Sequence, residues 1–136
     1  MTANWKFEIP RSHPSVKSSP AADGTHVYAL VNHGASSDGE SVLRLYALAI
    51  EDGLKQSQCD ISRRAPSALV VGDDRVYVSN THGAIHAIRK SIVEVEWTYS
   101  TDAPIHSSPA LYDQRLFVRD INGDFYTIDA ANGTKQ

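Results

Sequence analysis

Cysteine is almost missing from this chain: Cys59 stands alone among 136 residues. A single thiol excludes an internal disulfide framework and any cysteine-rich zinc site. It is compatible with a reducing compartment such as the cytoplasm and leaves the compartment open. Long apolar runs are missing too, and nothing approaches the roughly 18 consecutive apolar residues that a membrane-spanning helix needs. Met1-Thr2-Ala3-Asn4-Trp5-Lys6 has no basic stretch followed by an apolar one, so no signal peptide is expected. Positive charge is not in excess either: 13 Lys and Arg stand against 16 Asp and Glu, a formal net charge of −3. That balance gives no electrostatic reason to expect nucleic acid or an anionic membrane as a partner. Arg63-Arg64 and Arg75 are too few to make a nucleic-acid face. Helical patterning is also lacking. Ala47-Leu48-Ala49-Ile50-Glu51 passes for a helix by itself, but its repeat counterpart Thr127-Ile128-Asp129-Ala130 reads as strand.

What the chain has is repetition. Val27-Tyr28-Ala29, Val76-Tyr77-Val78 and Leu116-Phe117-Val118 are each followed by a turn and a second apolar segment. Those segments are Leu45-Tyr46-Ala47, Ile85-His86-Ala87 and Phe125-Tyr126-Thr127. Val76 maps to Leu116, Gly83 to Gly123 and Ala87 to Thr127 at one constant spacing. The first repeat matches in both strands but carries extra residues within Asn32–Ser41, a polar Gly/Ser-rich loop expected at a solvent-facing tip. His33-Gly34, His82-Gly83 and Asn122-Gly123 supply the positive-φ residues that tight hairpins need. Asp52-Gly53 and Asn132-Gly133 mark a further turn, and His33 and His82 are expected to share the unusual backbone angles. A fixed-period repeat in which each unit buries its face against its neighbours predicts an all-β array of blades.

The residues then point to a family. Ser18-Ser19-Pro20-Ala21 and Ser107-Ser108-Pro109-Ala110, each ahead of an aromatic-bearing strand, resemble the start of a pyrroloquinoline-quinone-like (PQQ-like) β-propeller repeat. That repeat carries an Ala-x-Asp-x-x-x-Gly-x-x-x-Trp docking motif whose Trp packs between adjacent blades. By this resemblance the docking residues are Ala47 and Gly53 in the first repeat, Ala87 and Trp97 in the second, and Asp129 and Gly133 in the third. Ala49 and Ser57, Arg89 and Val93, and Thr127 stand at the unmatched places. Trp5-Lys6-Phe7 matches Trp97-Thr98-Tyr99, which makes residues 1–10 the outer strand of a preceding or latching blade. Blade one is expected over 15–60, blade two over 61–100, and blade three, lacking its last strand, over 101–136. The resemblance implies four antiparallel strands per blade and about three blades, a partial propeller or half-ring, because closed propellers have four to eight blades. Such an array completes its ring by self-association, two copies exchanging N-terminal strands to give six blades, or as part of a longer propeller.

The polar candidates read as structure rather than chemistry. Asp120-Ile121-Asn122-Gly123-Asp124 places oxygens at alternate positions, as at the start of a calcium loop, so Asp120, Asn122 and Asp124 are weak metal candidates. Gly is fourth rather than sixth, however, and residue 131 is Ala, which favours a plain Asn-Gly hairpin. His13, His26, His33, His82, His86 and His106 are scattered, and a turn separates His82 from His86. Cys59 aligns with Phe7 and Tyr99 and is expected to be a small buried hydrophobe. The paired serines lack the Gly-x-Ser-x-Gly elbow of a hydrolase. No catalytic constellation is visible. The function expected is a non-catalytic propeller module that binds a protein partner, without a cofactor. By resemblance, its relatives include the propeller lipoproteins of the bacterial outer-membrane barrel-assembly machinery, although the lipoprotein signal and cysteine are missing here. The alternative implied by the resemblance is a fragment of a PQQ-dependent quinoprotein dehydrogenase, which would use PQQ with calcium. A third reading is a set of blades with no activity of its own.

Overall fold

Val, Ile, Leu and Tyr alternate with polar residues between Gly- and Asp-bearing turns, and each such stretch becomes a strand of an antiparallel hairpin. The computed structural model describes residues 5–8, 14–16, 20–33, 42–62 and 66–136. Among these, the first sheet holds β1 (Pro14–Val16), β2 (Ala21–Ala22), β3 (His26–His33), β4 (Val42–Ala49) and β5 (Lys55–Ser62). Its order is β1-β3-β4-β5, and β2 pairs with β3 beside β1. The second sheet runs β6 (Pro66–Val71), β7 (Arg75–Asn80), β8 (Ala84–Arg89) and β9 (Glu94–Ser100) in sequence order. The third runs β10 (Ala110–Tyr112), β11 (Arg115–Arg119) and β12 (Phe125–Asp129), and Lys135 bridges back to Ile128. All pairings are antiparallel, and the sheets do not close on one another. This is the all-β, partial-propeller architecture that the repeat implies. The first sheet exceeds four strands because β1 and β2 share β3, and the third has three. The loop 34–41, Ser18-Ser19, His13 and Arg63-Arg64 lie outside the described residues.

Register repeats as closely as sequence does. Tyr28 sits opposite Ala47, Tyr77 opposite Ala87, and Phe117 opposite Thr127. A register shift follows Ala47 in the β4–β5 pair and Ala87 in the β8–β9 pair, so the same bulge recurs in both sheets. Left-handed backbone falls on Gly53, Gly83, Gly123 and Gly133. It falls on Gly83 and not on His82, and His33 closes β3 rather than a turn. Glycine has no Cβ to clash there, so the neighbouring histidine keeps an ordinary conformation.

The core forms in the seams between sheets. Tyr28, Leu30, Leu43, Leu45 and Ala47 of the first sheet meet Val76, Val78 and Ile88 of the second. Tyr77, Ile85 and Ala87, from the other face of the second sheet, meet Leu116, Val118, Tyr126 and Ile128 of the third, with Ile105 from the β9–β10 connection. β7 is therefore buried on both faces, whereas β11 alternates between exposed and buried. Leu45 is fully buried in the first seam. Leu45→Ala is expected to lower the unfolding free energy by about 2–5 kcal/mol, read as a lower urea midpoint at unchanged m-value.

Candidate docking sites between the sheets

A flat indole can lie on a turn only where the turn has no side chain. In the third sheet Gly133 adopts φ +74° and donates its amide to the Asp129 carbonyl at 2.8 Å. A Cβ built on Gly133 would meet Trp97 Cδ2 and Cε3 at 2.5 Å, so the ring of Trp97, on β9 of the second sheet, lies directly on this glycine. Trp97 Nε1 donates to the Ala130 carbonyl at 3.2 Å, and the Tyr77 hydroxyl donates to the same oxygen, also at 3.2 Å. Asp129 Oδ1 accepts the amides of Ala131 and Asn132, which holds the turn in shape. Ala87 is the cross-strand partner of Trp97, and its small side chain leaves room for the ring.

The first sheet repeats the arrangement with a different donor of the indole. Trp5 packs on Gly53, whose φ is +72°, so closely that no Cβ fits between them. Trp5 Nε1 donates to the Ile50 carbonyl at 2.9 Å. Phe7 then meets Tyr46 with ring centroids 5.6 Å apart, as Tyr99 meets Tyr126 at 6.2 Å. Trp5 and Phe7 cover Val31, Tyr46 and Leu48 of the first sheet, although residues 5–8 form no strand.

The seam between the first and second sheets is built differently. Ser57, opposite Ala47, stands where the indole is borne, and Val93 stands where the glycine does. Val93 keeps the turn, with its amide donating to the Arg89 carbonyl at 2.8 Å, and it adopts φ 50° despite its branched side chain. Its side chain packs against the core of that seam. Lys90 takes the place of Ile50 and Ala130; all three donate their amides to matching carbonyls, those of Asp74, Thr25 and Gln114, at 3.0 Å. Lys90 Nζ reaches Asp23 Oδ2 at 2.7 Å and lies 5.8 Å from the centre of the Tyr28 ring. A cavity of about 490 Å³ opens there, lined by Asp23, His26, Tyr28, Ser57, Arg89 and Lys90 among others. Asp23 Oδ1 also accepts the amides of Thr25 and His26 at 2.8 Å. Burial alone would raise the Asp23 carboxyl, but the Lys90 ammonium and these donors hold it well below the usual carboxylate range. Burial, with the Asp23 charge beside it, pushes the Tyr28 phenol up to about 12.

The remaining candidates fall into turns and surfaces. Asp120 Oδ1 accepts the amides of Asn122 at 2.9 Å and Asp124 at 3.1 Å, and its Oδ2 accepts the Tyr126 hydroxyl at 2.9 Å. Asn80 makes the same two amide contacts to His82 and Ala84 in the preceding repeat. Asp120 is thus engaged by its own hairpin. Among the described residues no group of three or more His, Cys, Asp or Glu is arranged to hold a metal ion. His86 Nδ1 lies 2.9 Å from Thr98 Oγ1, and burial lowers the pKa of its imidazole. Cys59 is half-buried rather than buried, and burial followed by the Asp60 charge raises its thiol. Asp23, Lys90 and the pairing of Ser57 with Val93 were not among the sequence candidates. The signal that finds them is that each indole docks on the turn of the following repeat, so the partners must be aligned across repeats.

Two outcomes test these contacts. Trp97→Ala is expected to cost about 3–5 kcal/mol, and Gly133→Ala to be destabilising in the wild-type background but far less so with Trp97→Ala, as a double-mutant cycle in urea would register. The Asp23 pKa is depressed in the folded chain, so its contribution is present above the unfolded carboxylate value of about 4 and fades as pH falls below it. The stability gap between wild type and Asp23→Asn should accordingly be full at pH 7 and shrink on acidification, followed by urea midpoints.

Comparisons with known proteins agree with this geometry. Residues 39–136 match the family model described as outer membrane protein assembly factor BamB. No curated protein sequence matches the chain. Among solved structures, a europium-containing methanol dehydrogenase superposes with a TM-score of 0.69 at 13% identity, over 88% of this chain and 24% of that one. The quinohemoprotein alcohol dehydrogenase of Pseudomonas putida gives 0.68 at 20% identity, over 97% and 21%. BamB from Moraxella catarrhalis gives 0.57 at 13% identity, over 97% and 51%. The chain therefore spans between about a fifth and a half of each of these proteins, and what it shares with them is the fold. Three antiparallel sheets, the second and third joined by an indole-on-glycine contact, together with a family match over most of its length, make this chain a member of the BamB family of PQQ-like β-propeller repeat proteins.

Proposed function

We propose that the chain is a non-catalytic propeller section that acts as a protein-binding scaffold, its ring completed by further blades docked on the third sheet. The observation that carries this reading is the bare face of that sheet. Tyr28 and Leu45 of the first sheet lie under the second, and Tyr77 and Ile85 of the second lie under the third; all four are 0–4% exposed. The corresponding Phe117 and Phe125 of the third sheet are 38% and 75% exposed, and Tyr112 beside them is 77% exposed. Three large rings on one sheet face, with the Arg119 guanidinium 5.7 Å from the centre of the Phe125 ring, make an aromatic patch of the kind that marks an interaction surface. The BamB family match favours a role in protein association over catalysis.

Two copies can supply the missing cover to each other, or a longer propeller can supply it in one chain. Sedimentation of the isolated chain is expected to give a mass above the 14.9 kDa of one protomer, and Phe125→Lys to return it to one protomer. A wild-type monomer that stays stable at high concentration would rule out completion by self-association. The dehydrogenase-like structures support the second reading, a section of a PQQ-dependent dehydrogenase. Titration with PQQ and calcium separates the two. The scaffold reading expects neither a cofactor spectrum nor dye reduction, and either signal would favour the enzyme.

A further inference from the structure

Of the indole contacts that could join these sheets, the one between the first and second is replaced, and its replacement is internally consistent. A Cβ on the turn glycine falls 2.5 Å from the indole in the second seam. A tryptophan at position 57 and a valine at position 93 therefore exclude each other, and the chain has lost both halves of the contact together. What remains at this corner is polar. Ser57 replaces the ring, the cavity of about 490 Å³ occupies the adjoining space, and the Asp23–Lys90 ion pair links the two sheets across it at 2.7 Å. Away from the corner the same seam is apolar, with Leu30 and Leu45 against Val76 and Val78.

We infer that the first sheet is hinged on the second, with the Asp23–Lys90 pair as the clasp and the apolar part of the seam as the pivot. Apolar contacts are insensitive to direction and tolerate a small rotation, whereas an ion pair holds only while its partners touch. The Lys90 and Asp23 side chains are 16% and 23% exposed, so dissolved salt reaches the pair and weakens it in part. The Trp97–Gly133 contact carries no such charge, so the second and third sheets move as one body. Arg89 and Glu96, 3.4 Å apart, both belong to the second sheet and do not cross the seam. The clasp makes the seam respond to ionic strength, and the inference is independent of how the ring is completed.

Cys59 provides a native reporter. It lies on β5, half-buried, and its thiol is within reach of the Val95 backbone on β9, across the seam. The full chain would be labelled with uncharged iodoacetamide at fixed pH, with the rate normalised to an unstructured cysteine peptide. Raising NaCl from low concentration to about 0.5 M is expected to speed labelling about three- to tenfold, since screening at that strength acts within a few ångströms. Lys90→Met should label fast already at low salt and lose the salt response. Asp23→Asn, which keeps an acceptor for the Thr25 and His26 amides but removes the charge, should match Lys90→Met in both respects. Ser57→Trp with Val93→Gly rebuilds the indole contact and should label slowly at all salt concentrations. Salt-independent labelling of the wild type, or a Lys90→Met rate equal to wild type, overturns the hinge. Hydrogen exchange on the wild type checks the same point without any substitution. Salt should raise exchange in β5 and leave β11 and β12 unchanged, and a uniform rise across all three sheets would overturn the proposal.

Discussion

The structure depends on one steric constraint: a planar ring can rest on a polypeptide turn only if the residue beneath it has no Cβ. Where that holds, as at Gly133 under Trp97, two sheets are joined by a contact that is at once apolar and directional. The ring excludes water, and its N–H fixes the angle by donating to the Ala130 carbonyl. Ala130 accepts a second hydrogen bond there from Tyr77, so one backbone oxygen ties together β7, β9 and the turn after β12. The same logic operates at Gly53 under Trp5, with a segment that forms no strand of its own. The composition of the second seam follows from the need to bring that ring and that turn together.

Much of this was legible in the sequence. The threefold recurrence of apolar triplets predicts the strands, because each repeats the same alternation between the same turn residues. Trp5, Trp97, Gly53 and Gly133 stand out by matching a spaced motif. What escaped was relational. Ser57 and Val93 look like two separate departures when each repeat is read alone, whereas in three dimensions they face one seam. Asp23 and Lys90 are 67 residues apart, and no local pattern signals that they meet. Asp120 shows how one local pattern carries two readings. Its neighbours suggest cation ligands, yet a carboxylate that starts a tight hairpin also satisfies the turn's own amides, as Asn80 does without any charge.

The electrostatics follow from the same replacement. Removing an indole from a seam leaves a space that is too polar to collapse and too enclosed for a fully hydrated charge. Asp23 and Lys90 resolve this by neutralising each other beside the Tyr28 ring, with the Thr25 and His26 amides completing the carboxylate's shell. Buried ion pairs seldom outperform well-packed apolar groups in stability. Their presence in place of an indole exchanges strength for sensitivity to the surrounding solution.

The two-sided burial of β7 bears on how the chain tolerates change. Val76 and Val78 serve one neighbour while Tyr77 serves the other, so consecutive positions of a single strand answer to different partners. In linear repeat arrays cooperativity is carried by nearest-neighbour interfaces, and a unit shared by two interfaces couples them. The middle sheet is consequently the element through which disorder in one terminal sheet would reach the other. A substitution on β7 that looks conservative from one seam can be disruptive from the other, which narrows its permitted sequences far more than those of β11.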